Sequence, residues 1–392
     1  MKLDFDFKNF RWFMGKGKEI QASFVEDTFL ISGVSLFIYK VLFSDGTFDF
    51  YSVFENEKEI EFFLKGGFSG EDEKFSLESE NGFLTFEKYR AISPALFQGI
   101  KQAGLEQSNS SFFNPGKVFF KLYRRLLNGK HPEPEILKTL DALKMTPELL
   151  GTVVYRSKNE NESFTVGILE THIENTVNGF DLFCKKMDEN FAALLGEKTS
   201  FMHESLKNLD GNANISSEIP FENLEKLLKK TVNEKENTFM QTTCLSVLKK
   251  LPQIKAFCKN SARESDLFKP QRIHGDFHLG QILFKNADLW ILDFEGEVLR
   301  PLDYRRRLTS PLVDLASMLR SFDYAAAISK ANASLVKKMF LENYAKNTSV
   351  CVSDLEKYLK REILAKAVYE ACYELEYRPS WFKIPAEVLI EF

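Results

Sequence analysis

Short apolar runs separated by turn residues dominate the first half of the chain. VSLFIYKVLF (34–43), GTFDFYSVF (46–54), KVFFKLY (117–123), GTVVYRS (151–157) and FTVGILETHI (164–173) are either alternating or continuously apolar, and each predicts a strand. The polar segment SKNENES (157–163) joins the last two runs and predicts a hairpin. From Phe180 to about Lys259 the period changes to one near 3.6, as in FENLEKLLKKTVNE (221–234) and TTCLSVLKKLPQIKAF (242–257). A second helical block runs from Pro311 to Tyr377, and between the two lies a strand-and-loop segment, QRIHGDFHLGQILFKNADLWILDFEGE (271–297). A β-rich part followed by a helical part that carries an acidic loop predicts an α+β arrangement. No internal repeat or low-complexity tract interrupts it.

Length and composition narrow this picture. The 392 residues exceed one comfortable core and predict two or three packed subdomains. Hydrophobic residues at 44% and charged residues at 28% exclude a disordered chain. The formal net charge of −4 offers no basic face for nucleic acid, and the basic run Arg305–Arg307 reads as a solvated surface. The five cysteines, at 184, 244, 258, 351 and 372, contain no CxxC pair, which favours reduced thiols in a cytosolic protein. The first residues, MKLDFDFKNFRW, lack the apolar core of a signal peptide, and no apolar run approaches the ~18 residues of a membrane helix.

The chemistry concentrates in His274-Gly275-Asp276-Phe277-His278-Leu279-Gly280-Gln281, followed by Asp293-Phe294-Glu295. Phosphoryl transfer needs a positioned hydroxyl and a divalent metal bridging the phosphates, with little covalent chemistry. Asp276 would accept or orient the hydroxyl proton. Gln281 stands five residues later, the offset of the metal-binding amide in the kinase pattern HRDxxxxN. Asp293 closes the strand-like LWILDF, where a second metal-binding carboxylate belongs, and Mg²⁺ prefers such oxygen ligands. An HGD triplet alone is no more than a capped turn; its spacing to Gln281 and Asp293 is what makes it specific. His274 reads as a buried histidine bonding a backbone carbonyl, whereas His278 either packs or faces an acceptor.

The β-rich half should supply a lysine for ATP. Lys121 stands mid-strand among apolar neighbours, where an unpaired ammonium is costly, so a partner or phosphate is expected. Glu135, at the start of the next helix, is the expected partner, the alternative being a helix-dipole acid. Ser108, Asn109 and Ser110 precede that strand and could cradle phosphates through backbone N–H groups. The strand end at Glu170 to His172 is the expected hinge, where backbone groups would bond adenine.

The segment HGDFHLGQILF…WILDFEGEVLRPLDYRRRLTSPLVDLASMLRSFDYAA resembles that of bacterial maltokinases, which also occur fused behind trehalose synthase. RWFMGKGK (11–18), QSNSS (107–111), FFKLYRRL…HPEPE (119–135) and KAVYEACYELEYRPSWFKIP (366–385) resemble further signatures of that family in order, over nearly the whole chain. The resemblance implies an α+β, bilobal, protein-kinase-like fold with a β-rich N-terminal cap (1–95), an intermediate ATP-binding subdomain (96–175) and a helical C-lobe (176–392) with the catalytic and acceptor sites. It implies phosphorylation of maltose to maltose 1-phosphate with ATP and Mg²⁺, feeding α-glucan and glycogen synthesis, and possible association with trehalose synthase. By position it assigns the base to Asp276 and the metal to Gln281 and Asp293. A sugar has polar edges and an apolar C–H face, so planar hydrogen-bonding groups and aromatic rings should receive it. The candidates are His278 and Glu295 at the acidic loops, and Glu297, Arg306, Tyr324, Tyr369, Glu370 and Trp381 in the matching segments. Actinobacterial glucosamine kinases share much of the pattern, so a glucosamine or other small-sugar kinase is the alternative. A nucleotide-binding pseudokinase is a further one, against which the intact Lys121, Asp276, Gln281 and Asp293 argue.

Overall fold

The computed structural model describes residues 5–104, 108–158, 162–213, 218–233, 238–261 and 268–392. They form two compact units. One comprises Met1–Asn175 with Glu297–Arg305, the other Thr176–Gly296 with Arg306–Phe392.

In chain order the first unit contains β1 (Ile20–Ile31), β2 (Val34–Phe43), β3 (Phe48–Phe54), α1 (Ile60–Phe68), β4 (Lys74–Glu78), β5 (Gly82–Lys88), β6 (Lys101–Gln102), β7 (Ser110–Asn114), β8 (Val118–Leu122) and β9 (Arg125–Leu126). Then follow α2 (Pro132–Leu140), β10 (Leu149–Ser157) and β11 (Ser163–Thr171). Ser32 and Gly33, both at positive φ (50° and 85°), make the two-residue turn that pairs Ile31 with Val34, the turn geometry that suits strand twist. β2 buries every second residue along most of its length. The first sheet runs β1-β2-β3-β9 and the second β4-β5-β10-β11-β8-β7-β6. The hairpin expected around SKNENES is present as β10 and β11, with Arg156 opposite Ser163.

β4 and β5 belong to the same seven-stranded sheet as β8 and β11, so the subdomain boundary expected at residue 95 cuts through a continuous ladder. Much of the phenylalanine-rich composition is spent near the N-terminus, where Phe7, Trp12, Phe13, Tyr39, Phe43 and Tyr51 form one buried aromatic cluster. Arg124 is fully buried and ties the two sheets. Its Nε donates to Ser110 Oγ at 2.8 Å, its Nη1 donates to the Ser52 carbonyl at 3.2 Å, and it pairs with Glu57.

The second unit begins with β12 (Val177–Asn178) and the helices α3 (Gly179–Lys185), α4 (Glu189–Leu206), α5 (Phe221–Asn233) and α6 (Thr238–Ser261). The hairpin β13 (Ile282–Lys285) and β14 (Asp288–Ile291) pairs with β12 in a small sheet. After the short α7 (Leu302–Arg305) of the first unit come α8 (Leu312–Ser329), α9 (Ser334–Lys346), α10 (Val352–Tyr377) and α11 (Lys383–Glu391). The predicted helical blocks therefore stand. Leu224, Leu228, Val247, Ile254, Val368 and Leu389 from α5, α6, α10 and α11 share one core. Among the described residues no helix is long and apolar enough to cross a membrane.

Candidate active site

Two loops of the second unit are held together by the β13–β14 hairpin. Gln281 ends a short turn (Leu279–Gln281) leading into β13, and Asp293 lies just past β14. The register Ile282–Ile291 continues through a hydrogen bond from Leu292 N–H to the Gln281 carbonyl at 2.9 Å. The ladder thereby brings residues twelve apart in sequence into contact, and Gln281 Nε2 donates to Asp293 Oδ2 at 3.0 Å. Asp293 has φ +63°, a left-handed conformation that is uncommon outside glycine, is tolerated best by Asn and Asp, and clusters at functional sites.

The HGD loop is fixed from beneath. His274 Nε2 donates to the Leu292 carbonyl at 2.9 Å, while its Nδ1 accepts the Asp276 N–H at 3.3 Å; both bonds require the Nε2-protonated tautomer. The structural role expected of His274 is thus met. Its ring lies against the buried Phe277 and Phe294, at centroid distances of 5.2 and 4.8 Å. Gly275 takes φ +85°, and a Cβ there would lie 3.6 Å from the Gly296 Cα, so the two loops meet backbone to backbone.

Asp314, which sequence reasoning did not single out, anchors the loop to α8. It is 1% exposed and accepts from His274 N–H at 2.8 Å, from Gly275 N–H at 3.0 Å and from His203 Nε2 at 3.1 Å. His203 in turn faces Tyr344 Oη at 3.0 Å. Burial opposes the charged form of Asp314, yet the bonds from His203 and the loop N–H hold its carboxyl below the usual range. Leu279 N–H donates to Ser321 Oγ at 3.0 Å, a second tie between the loop and α8.

Asp276 itself is partly open to solvent, with 38% of its side chain exposed. His278 caps the following turn by accepting the Gly280 N–H at 3.1 Å, and its Nε2 lies 3.9 Å from Asp276 Oδ2. Desolvation lowers the imidazole pKa against the attraction of Asp276, with Lys366 adding to the lowering. Glu295 is buried beside these loops.

In the first unit, Lys121 lies in β8, an interior strand, between Ser111 of β7 and Ile168 of β11. Only 12% of its side chain is exposed. A carboxylate oxygen of Glu133, a residue the sequence reading did not single out, lies 3.0 Å from Lys121 Nζ. The helix begins at Pro132, which places the nearly fully buried Glu133 in its first turn, and Tyr123 Oη also bonds it.

The Ser110 hydroxyl accepts from Arg124 inside the sheet, because strand alternation turns the side chain inward. Ser108 and Asn109 remain in the connection between β6 and β7. At the expected hinge, Glu170 is buried, the Thr171 N–H donates to the Glu148 carbonyl and the His172 N–H to the Lys117 carbonyl. His172 stacks on Phe113 at 5.2 Å and accepts the Gly116 N–H at 3.2 Å, and burial lowers its pKa.

The acceptor candidates divide. Glu297 groups with the first unit and lies 3.4 Å from Arg300. The Arg306 carbonyl accepts the Asn212 N–H at 2.9 Å. Glu370 is the counter-ion of the buried Arg320 at 2.8 Å, a partner absent from the predicted set. Asp323 holds the same guanidinium at 2.7 Å. Tyr324 donates to Glu374 at 3.0 Å and stacks on Trp381 at 5.8 Å, 19° from parallel. Burial, then the charges of Glu370 and Glu374, raise its phenol pKa. Tyr369 is 40% exposed, under the ammonium of Lys366 at 5.5 Å.

No protein-family model matches the chain. A glucosamine kinase of Streptacidiphilus jiangxiensis is 25% identical over 130 residues, which span 29% of this chain and 29% of that protein's length. Among solved structures, a glucosamine kinase in complex with glucosamine, ADP and inorganic phosphate aligns with a TM-score of 0.69, covering 95% of this chain and 94% of that one at 16% identity. The fold is that of the glucosamine kinases. A second such structure, crystal form B, gives a TM-score of 0.67 at 16% identity over 96% and 95% of the two chains.

Among the described residues no group of three or more His, Cys, Asp and Glu could hold a metal. Gln281 and Asp293 nevertheless fit Mg²⁺, which takes few protein oxygens and completes its shell with water and phosphate.

Proposed function

We propose that the chain is an ATP-dependent sugar kinase. The observation that carries this reading is the contact of Gln281 with Asp293 beside a half-open Asp276, on a loop locked by His274 and Asp314. In the reaction a sugar hydroxyl oxygen bonds to the γ-phosphorus, the bond to the β–γ bridging oxygen breaks, and ADP departs. Asp276 takes or orients the hydroxyl proton. Lys121, held by Glu133, sets a positive charge on the phosphates. Mg²⁺, bound through Gln281 and Asp293, would neutralise charge on the transferred group. Ser108, Asn109 and the strand end at Glu170–His172 would hold the nucleotide.

Maltose is the acceptor we favour, on the resemblance of the C-terminal segment 366–385 and on the row of aromatic rings that segment presents. Glucosamine is the second reading, favoured by the glucosamine kinases that match in fold and over 130 residues. Association with trehalose synthase belongs to the maltose reading. A coupled ADP-release screen over maltose, glucose, glucosamine, trehalose and an aminoglycoside tests all of this. Turnover with maltose above the others is expected; turnover with glucosamine alone transfers the assignment, and none with any sugar overturns it.

A further inference from the structure

Helix α4 passes α9 at contact distance because Gly196 has no side chain; a Cβ there would overlap the Phe340 carbonyl oxygen. His203 stands about two turns further along α4 and Tyr344 about one turn further along α9, so the same close approach brings these two side chains together. Both are buried, and their rings meet edge to face at 5.6 Å. His203 Nδ1 lies 3.0 Å from Tyr344 Oη, and its Nε2 lies 3.1 Å from Asp314 Oδ2 on α8. A carboxylate only accepts, so Nε2 carries the proton of that bond. Nδ1 accepts from the phenol, which keeps its proton because burial, then the charges of Asp314 and Glu204, raise its pKa. The Asp314 oxygen that takes the imidazole N–H also takes the His274 N–H, and the other takes the Gly275 N–H. Asp276 is the next residue in the chain. A run of bonds between buried groups therefore leads from α9 through α4 and α8 to the backbone beside Asp276.

We infer that His203 is a positioning residue for phosphoryl transfer: it holds the Asp314 carboxylate in the orientation that the two loop N–H groups require, while Tyr344 fixes the imidazole from α9. The inference rests on the sugar-kinase reading for its consequence, the placement of Asp276 against the acceptor hydroxyl. A buried carboxylate that loses one of three donors must turn or draw in water, and the loop bonded to it moves with it. A displacement of about 1 Å at a reacting group costs on the order of 10²-fold in rate. An apolar side chain of similar size would fill the space between α4, α8 and α9 equally well, so packing alone does not call for the two ring nitrogens.

Four variants of the full chain test it, with unfolding midpoints confirming that each is folded. His203→Leu removes both bonds, His203→Gln restores an N–H donor at the place of Nε2, and Tyr344→Phe removes the phenol alone. Phe340→Leu loosens the α4–α9 packing without touching the chain of bonds. With the acceptor that the ADP-release screen identifies, kcat should fall about 100-fold in His203→Leu, recover to within about tenfold of the parent in His203→Gln, and fall about threefold in Tyr344→Phe. KM for ATP should stay within about threefold throughout, and Phe340→Leu should keep kcat within about twofold even where its midpoint falls as far as that of His203→Leu. A kcat in His203→Leu no lower than in Phe340→Leu, or no recovery in His203→Gln, overturns the inference. Two NMR measurements read the same link without turnover. Nitrogen-15 spectra of the five histidines should show His203 protonated at Nε2, and an unprotonated Nε2 overturns the bond to Asp314. Amide exchange at His274 and Gly275 should quicken about tenfold in His203→Leu and not in Phe340→Leu. Quickened exchange with no sugar phosphorylated by the parent leaves His203 holding the loop and removes the kinase reading. Parental kcat and unaltered exchange in His203→Leu do the reverse.

Discussion

At the scale of single residues, the chemistry depends on which side chains are held and which are left open. Asp276 is the open one, so Asp276→Asn should leave ATP affinity nearly unchanged while lowering kcat about 10²–10⁴-fold. Initial-rate kinetics over both substrates check this, and near-parental kcat would remove Asp276 from the mechanism. Lys121 and Glu133 supply a sharper comparison. Glu133→Gln removes the buried counter-charge 3.0 Å from the ammonium and should cost about 10- to 100-fold in kcat/KM for ATP. Glu135→Gln, on the same helix, is the second arm and should cost less. The reverse order would restore the sequence-based assignment. HPEPE shows two glutamates near a helix start, and the sequence alone does not tell that Glu133 reaches Lys121.

Elements decide how the loop is carried, and here local pattern was informative up to the point where tertiary partners take over. The strand leading to Asp293 was visible in LWILDF, whereas the pairing that brings Gln281 against Asp293 appears only in the folded hairpin. Asp314 was not visible, since an acid in the first turn of a helix ordinarily serves the helix dipole. Only packing reveals that it turns inward to accept two loop N–H groups and His203. Its carboxyl pKa lies below the ordinary value in the folded protein. The stability it contributes is therefore complete above the unfolded carboxylate range and is lost as pH falls through the depressed folded value. Denaturant unfolding followed as a function of pH should show this acid limb. Asp314→Asn should flatten it and destabilise the protein by about 3 kcal/mol at neutral pH, because the buried charge pairs with His203 and the loop. An unaltered acid limb in the variant would assign the pH dependence to other carboxylates.

At the scale of the whole molecule, the β-rich first half and helical second half were legible because their periods differ. The division into units was legible only in part. Across the boundary expected at 95, β5 pairs with β10 more than sixty residues away, a neighbour no local window contains. The return of Glu297–Arg305 to the first unit was hidden for the same reason. A chain of this kind should report its ligands through global stability, since anything that binds the native state alone stabilises it by mass action. A non-hydrolysable ATP analogue with Mg²⁺ at about 100 times its dissociation constant should add about 2.7 kcal/mol, a rise of a few degrees in Tm for a chain of this size. Chelating the metal should remove most of that rise. The variant that isolates the metal is Asp293→Asn rather than Asp293→Ala. Asn tolerates the left-handed backbone at φ +63° and can still accept from Gln281, whereas Ala would add about 1–2 kcal/mol of backbone strain unrelated to the metal. Asp293→Asn should therefore match the parent in the absence of ligand and show little difference between analogue with and without Mg²⁺. Thermal unfolding of both proteins under the three conditions decides the matter. A Mg²⁺-dependent rise in the variant equal to the parent's would show that the metal is held elsewhere and that Asp293 serves only to shape its loop.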